Sequence, residues 1–227
     1  MVQRKSNEFE GNFDHSKAWQ SQSVVGRYDE KRFTSWGGRA FDSMEKRSIS
    51  ALLNKAISND RIQSVLELAC GTGRISELLA GRGFELTCGD ISEEMLDAAR
   101  QRLRAHSGAE VRFTTLDIYD LGQYESHFDC VCCFRLFQHL TTEERSRALR
   151  EMAKATKQYV LVNVMYTSSY YGLLRKVRKV LGRYITRYTS SDEEITRELE
   201  FAGLRKVAQK LSQPGFNGNL ILLLERK

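Results

Sequence analysis

The sequence predicts an α/β domain built on a doubly wound, mostly parallel sheet. Three observations carry this. Short apolar runs recur near residues 65, 86, 113, 131 and 161, most of them separated by stretches of helical periodicity. The run at 128–134, F-D-C-V-C-C-F, is apolar after its first two residues, as a central parallel strand covered on both faces must be. The stretch 64–75, S-V-L-E-L-A-C-G-T-G-R-I, passes from an apolar strand through Gly71-Thr72-Gly73 into a helix carrying Ile75, Leu78 and Leu79, the first half of a βαβ unit.

The 227 residues suffice for one sizeable core and read as one domain over 25–227. Hydrophobic content is 41% and charged content 28%, ordinary for a soluble globular chain. No apolar run approaches a membrane span, so no transmembrane segment is expected. The polar, mixed-charge start, 1–13, reads as neither signal nor transit peptide. The five cysteines are Cys70, Cys88, Cys130, Cys132 and Cys133. Their odd number, with three on one apolar strand, speaks against a disulfide framework and for a reducing, cytoplasmic setting. No second ligand pair stands at zinc spacing, so no metal is expected and the thiols read as small buried hydrophobes. A net charge of +6 permits an anionic partner without requiring one.

In chain order, residues 1–24 read as a flexible arm and 25–60 as an N-terminal cap. Within the cap, Phe41, Met44, Ile49, Leu52, Leu53 and Ile57 recur at near-helical spacing. After the glycine turn, 84–90 reads as a strand ending in Asp90, and Ser92 as the N-cap of a helix over 93–106. A third strand, 111–118, ends in Asp117-Ile118, and the fourth, 128–134, is left by Arg135 at the end where ligands sit in open sheets. Thr141 to Glu144 form a capped helix start, and 158–166 a fifth strand. Ser190 to Glu194 cap another helix, ending near Gly203, and 205–211 with 220–224 suit a closing antiparallel pair. Between them, 167–189 is amphipathic and basic: Leu173, Leu174, Val177, Val180, Leu181 and Ile185 share a helical face, with Arg175, Lys176, Arg178, Lys179, Arg183 and Arg187 on the others.

The ligand of the glycine turn can be narrowed. A dinucleotide fingerprint needs a third glycine where Ser76 stands, and a P-loop needs a lysine that does not follow Gly73. Instead an acid, Glu67, precedes the turn. A carboxylate there repels phosphate and attracts an ammonium group. Asp90 stands about twenty residues after the glycines, where an acid accepts hydrogen bonds from both ribose hydroxyls.

E-x-A-x-G-x-G and D-I-S-x-x-M-L resemble the class I S-adenosylmethionine-dependent methyltransferases, and the likeness runs in order over about 25–227. It implies a Rossmann-like, doubly wound seven-stranded sheet, mostly parallel with an antiparallel C-terminal strand. It implies S-adenosylmethionine as cofactor, with Glu67 on the methionine amino end, Gly71, Gly73 and Ala69 (where the family has its first glycine) at the turn, and Asp90 on the ribose. Ile91 and Met95 then flank the adenine, and Asp117 and Ile118 meet its amino group. Tyr28 and Arg32 belong to an N-terminal segment that folds over the cofactor in such relatives. Phe134 and Arg135 leave the fourth strand beside it; Arg135 suits an acidic group of substrate or cofactor, or a pairing with Asp29 or Asp117.

The family's insertion before the last helix shapes the acceptor pocket. That makes Tyr166, Tyr170 and Tyr171 candidate walls, with Trp36 on the acceptor side. The activated methyl chiefly needs an acceptor in line with it. An oxygen acceptor of high pKa also needs a base, and His139 is the candidate. The expected acceptor is a small molecule methylated on O or N — a sugar, a lipid-linked or an aromatic metabolite — and the basic segment permits an anionic one. The alternative is methylation of RNA or a tRNA base through 175–187. No DNA partner is expected; RNA stays open, although an Asn-Pro-Pro-Tyr-like tetrapeptide is missing.

Overall fold

The computed structural model describes residues 36–104, 110–166, 188–212 and 218–227. The arm 1–24, the start of the cap and the basic stretch 175–187 lie outside the described residues. Helix α1 (Trp36–Asn59) takes in Trp36-Gly37-Gly38, ahead of the apolar pattern that predicted it. Ile49, Leu52, Leu53 and Ala56 are buried, while Met44 and Ile57 fall off that inward stripe and are exposed.

The strands are β1 (Ser64–Leu68), β2 (Glu85–Asp90), β3 (Val111–Thr115), β4 (Phe128–Cys133), β5 (Thr156–Met165), β6 (Leu204–Leu211) and β7 (Asn219–Arg226). They form one seven-stranded sheet in the order β3-β2-β1-β4-β5-β7-β6. β7 runs antiparallel to both its neighbours; the other pairs are parallel. The expected architecture is therefore present. The chain winds outward from β1 to β3, then returns to place β4 on the other side of β1. This reversal opens a crevice at the carboxyl ends of β1 and β4, where open α/β sheets hold ligands.

Two differences have local causes. The third strand ends at Thr115, because the Asp117 side chain accepts from Tyr119 N and turns the chain. The helix behind the glycines, α2 (Ser76–Ala80), is a single short piece. α3 (Glu93–Leu103) starts on Ser92, whose hydroxyl accepts from Met95 N. α4 (Thr142–Ala155) and α5 (Asp192–Ala202) both start on complete capping boxes, from Thr141 and Ser191, and α5 stops at Gly203 with φ 69°.

Strand alternation divides the core in two. Leu66, Leu68, Val131, Cys133, Val160, Val162 and Leu222 pack against α4 and α5. Val65, Leu86, Cys88, Cys130, Cys132, Leu161 and Leu223 pack against α1, α2 and α3. All five cysteines are free and buried. On the first face, Arg145 of α4 and Glu198 of α5 form a buried pair at 2.6 Å, and Arg145 also donates to Leu140 O at 3.0 Å. Among the described residues no helix is long and apolar enough to cross a membrane.

Candidate active site

The crevice is built from turns that leave the strand ends. After β1 the backbone enters the left-handed region three times, at Ala69 (φ 51°), Gly71 (φ 56°) and Gly73 (φ 77°). Ala69 stands where the resembling family has glycine, and its φ shows why: a side chain there costs roughly 1–2 kcal/mol.

The two glycines have different reasons. A Cβ on Gly71 would meet nothing within 4 Å, so its bare face borders open space. Its N–H donates to Asp90 Oδ2 at 2.8 Å. A Cβ on Gly73 would lie 2.9 Å from Leu103 Cδ1 and 3.0 Å from Ala99. Gly73 thus lets α3 pack against the turn.

Glu67 points from β1 onto the α1–α3 face, 2% exposed, and accepts from Ser76 Oγ at 2.6 Å. Burial pushes its carboxyl up to about 7, against the Ser76 hydrogen bond and the Arg74 charge. Asp90, at the end of β2, also accepts from Ser92 N at 3.0 Å. Burial raises its pKa too, outweighing the N–H groups of Ser92, Gly71 and Ile91. The next residue, Ile91, is 39% exposed at this rim, and Met95 is buried below it. Asp117 is exposed and turns its carboxylate to its own loop, while Ile118 is buried.

Phe134 is buried at the end of β4. Arg135 follows with φ 70°, a conformation that costs a non-glycine residue and persists only when its surroundings hold it. Among the described residues it pairs with Glu45 of α1 and not with Asp117: Nε lies 3.1 Å from Oε1 and Nη2 3.1 Å from Oε2; Asp29 lies outside the described residues. The guanidinium stacks 4.4 Å above the Phe41 ring. Arg74, next to Gly73, reaches the same carboxylate at 2.7 Å and also binds Asp42. Asn219 Nδ2 donates to Glu45 Oε1 at 2.8 Å.

Sequence reading missed Glu45. One signal was present: an acid four residues before Ile49, in register with the buried stripe of α1. Burial raises the Glu45 pKa, but Arg135 and Arg74 more than offset this and hold it lowered.

His139 ends a 3-10 turn (Phe137–His139) beyond β4, half-buried, with Nε2 3.2 Å from Gln138 Nε2. Tyr166 lies past β5, but its hydroxyl donates to Asp192 at 2.6 Å, fastening the strand to the start of α5. Tyr28, Arg32, Tyr170 and Tyr171, and the side chain of Trp36, lie outside the described residues. Among the described residues no cluster of acids, histidines and cysteines could hold a metal.

A strand order that reverses at β1 and β4, with a glycine turn between two carboxylates, defines a nucleotide-type crevice in an open α/β sheet. Residues 65–159 match the family model described as Methyltransferase domain, and the chain is similar to S-adenosylmethionine-dependent methyltransferases. It is similar to the chloroplastic magnesium protoporphyrin IX methyltransferase of Arabidopsis thaliana, 23% identical over 67% of this chain and 48% of the relative. It is also similar to a ubiquinone biosynthesis O-methyltransferase of Neisseria meningitidis, 32% identical over 35% of this chain and 34% of the relative. The chain thus spans less than half the length of each. The fold is shared with the magnesium protoporphyrin IX methyltransferase of Synechocystis PCC 6803, solved with bound SAH: TM-score 0.78, 19% identity, 92% of this chain and 97% of that one.

Proposed function

We propose that the chain binds S-adenosylmethionine in the crevice and moves its methyl group to O or N of a small-molecule acceptor. The observation that carries this is Gly71: its bare face borders open space, its N–H rests on Asp90, and buried Glu67 lies behind the turn. Two carboxylates and no phosphate-binding lysine suit a ligand with hydroxyl and ammonium groups. The relatives' names, a protoporphyrin methyltransferase and an O-methyltransferase of ubiquinone biosynthesis, support a small-molecule acceptor.

In this reading Asp90 takes the ribose hydroxyls and Glu67 the methionine amino end. Ile91 and Met95, with Asp117 and Ile118, border the adenine; Ala69, Gly73, Phe134 and Arg135 complete the cofactor side. When bound, the cofactor supplies an already activated methyl. The chain then has three tasks: to align the acceptor, to exclude water and, for a hydroxyl acceptor, to take its proton. His139 is our candidate for that last task. Tyr28, Arg32, Trp36, Tyr170 and Tyr171 are proposed to complete the cofactor and acceptor walls, and the cations of 175–187 to attract an anionic or lipid-linked acceptor.

Titration calorimetry with S-adenosylmethionine, its demethylated product, NAD and ATP tests the cofactor. Binding of the first two alone is expected; binding of NAD or ATP instead would end this reading. A metabolite-extract screen with labelled S-adenosylmethionine then finds the acceptor. With that acceptor, Arg178→Glu with Lys179→Glu should raise KM at low salt and leave cofactor affinity unchanged. Methylation of bulk tRNA in place of any metabolite would favour the RNA reading.

A further inference from the structure

Glu45 has no solvent exposure, so a ligand in the crevice does not reach it. Yet its carboxylate gathers Arg74 from the β1 turn, Arg135 from the end of β4 and Asn219 from the start of β7. The arrangement is closed. Asn219 Oδ1 accepts from Asn163 Nδ2 at 2.5 Å, and Asn163 Oδ1 accepts from the Arg135 backbone N–H at 2.5 Å. Arg135 is thus held by side chain and main chain through one network rooted in Glu45, and it is also the residue with φ 70°. Arg74 is held three residues after Gly71, whose N–H rests on Asp90.

A buried ion cluster is a poor way to gain stability, since desolvation opposes the attraction and apolar packing would serve. This one joins α1, the β1 turn, β4, β5 and β7 at the ligand-binding end of the sheet.

We propose that Glu45 is a positioning residue for the cofactor crevice: one buried carboxylate fixes Arg74 and Arg135, and with them the two strand-end turns, in the arrangement that receives the ligand. This rests on the methyltransferase reading above and adds to it a residue the ligand never contacts.

The test is calorimetric titration of the full chain with S-adenosylhomocysteine. Wild type, Glu45→Gln, Glu45→Asp and Asn219→Ser are compared with Glu198→Gln, whose carboxylate is also buried and arginine-paired but lies on the opposite face of the sheet. Glu45→Gln should weaken binding at least tenfold while circular dichroism stays native. Glu45→Asp should recover part of the loss, and Asn219→Ser should lose about threefold. Glu198→Gln should lower Tm yet keep affinity within twofold. Folded Glu45→Gln with affinity within twofold of wild type would overturn the proposal. So would Glu198→Gln weakening binding as much at a similar drop in Tm. If Glu45→Gln does not fold, Glu45→Asp and Asn219→Ser both binding within twofold would overturn it. Wild type that does not bind at all would instead refute the methyltransferase reading, and this proposal with it.

Discussion

At the scale of single residues, the site rests on groups held away from their ordinary states. Glu67 is the clearest. Its folded-state pKa of about 7 lies above its ordinary 4.5, so between these values the folded chain keeps a proton the unfolded chain has lost. Its contribution to stability therefore falls as pH rises through that window. Glu67→Gln should accordingly stabilise the unliganded chain at pH 8, by up to about 3 kcal/mol, and do little at pH 4.5. Urea unfolding at the two pH values measures this. If ionised Glu67 meets an ammonium group, wild-type cofactor affinity should also rise from pH 6 to pH 8, and the Gln variant should lose that slope. The glycines separate equally well. Gly71→Ala should cut cofactor affinity with a modest Tm change, about 1 kcal/mol of backbone strain. Gly73→Ala should act mainly on Tm, about 1–3 kcal/mol, because its Cβ presses on Ala99 and Leu103.

At the scale of elements, helix positions follow from local chemistry that the sequence states openly. Thr141-x-x-Glu144 and Ser191-x-x-Glu194 close into the capping boxes their spacing implies, and Gly203 ends its helix at positive φ. What joins α4 to α5 was not legible, because Arg145 and Glu198 are 53 residues apart and each sits among other charges. Together they are buried and bidentate. Removing one partner leaves the other charge stranded, so Glu198→Ala should destabilise by about 3–5 kcal/mol. The double variant Arg145→Met with Glu198→Leu should recover most of the loss, as chemical denaturation would show. The glycine turn and Asp90 could be found from sequence because their spacing is local. Glu45, Arg74, Arg135, Asn163 and Asn219 could not be joined, since five elements separate them. The hint was only that each polar residue interrupts or adjoins an apolar pattern.

At the scale of the whole molecule, the alternation of apolar runs with helices made a doubly wound sheet legible, while the order of its strands came only with the structure. The apolar C-terminal run became β7, wedged between β5 and β6. The five buried thiols sit in or beside the innermost strands, Cys130 and Cys132 toward one face and Cys133 toward the other. A maleimide or disulfide reagent can then react only with molecules that have opened. The chain carries its own clock for such openings: under native conditions the modification rate at Cys132 and Cys133, followed by intact mass, should equal the labelling rate of the unfolded chain multiplied by the open fraction. Bound cofactor should slow it in proportion to ligand occupancy. If the two faces open separately, Cys133 and Cys132 will be modified at different rates. One shared rate would mark the sheet and both its helix layers as a single cooperative unit.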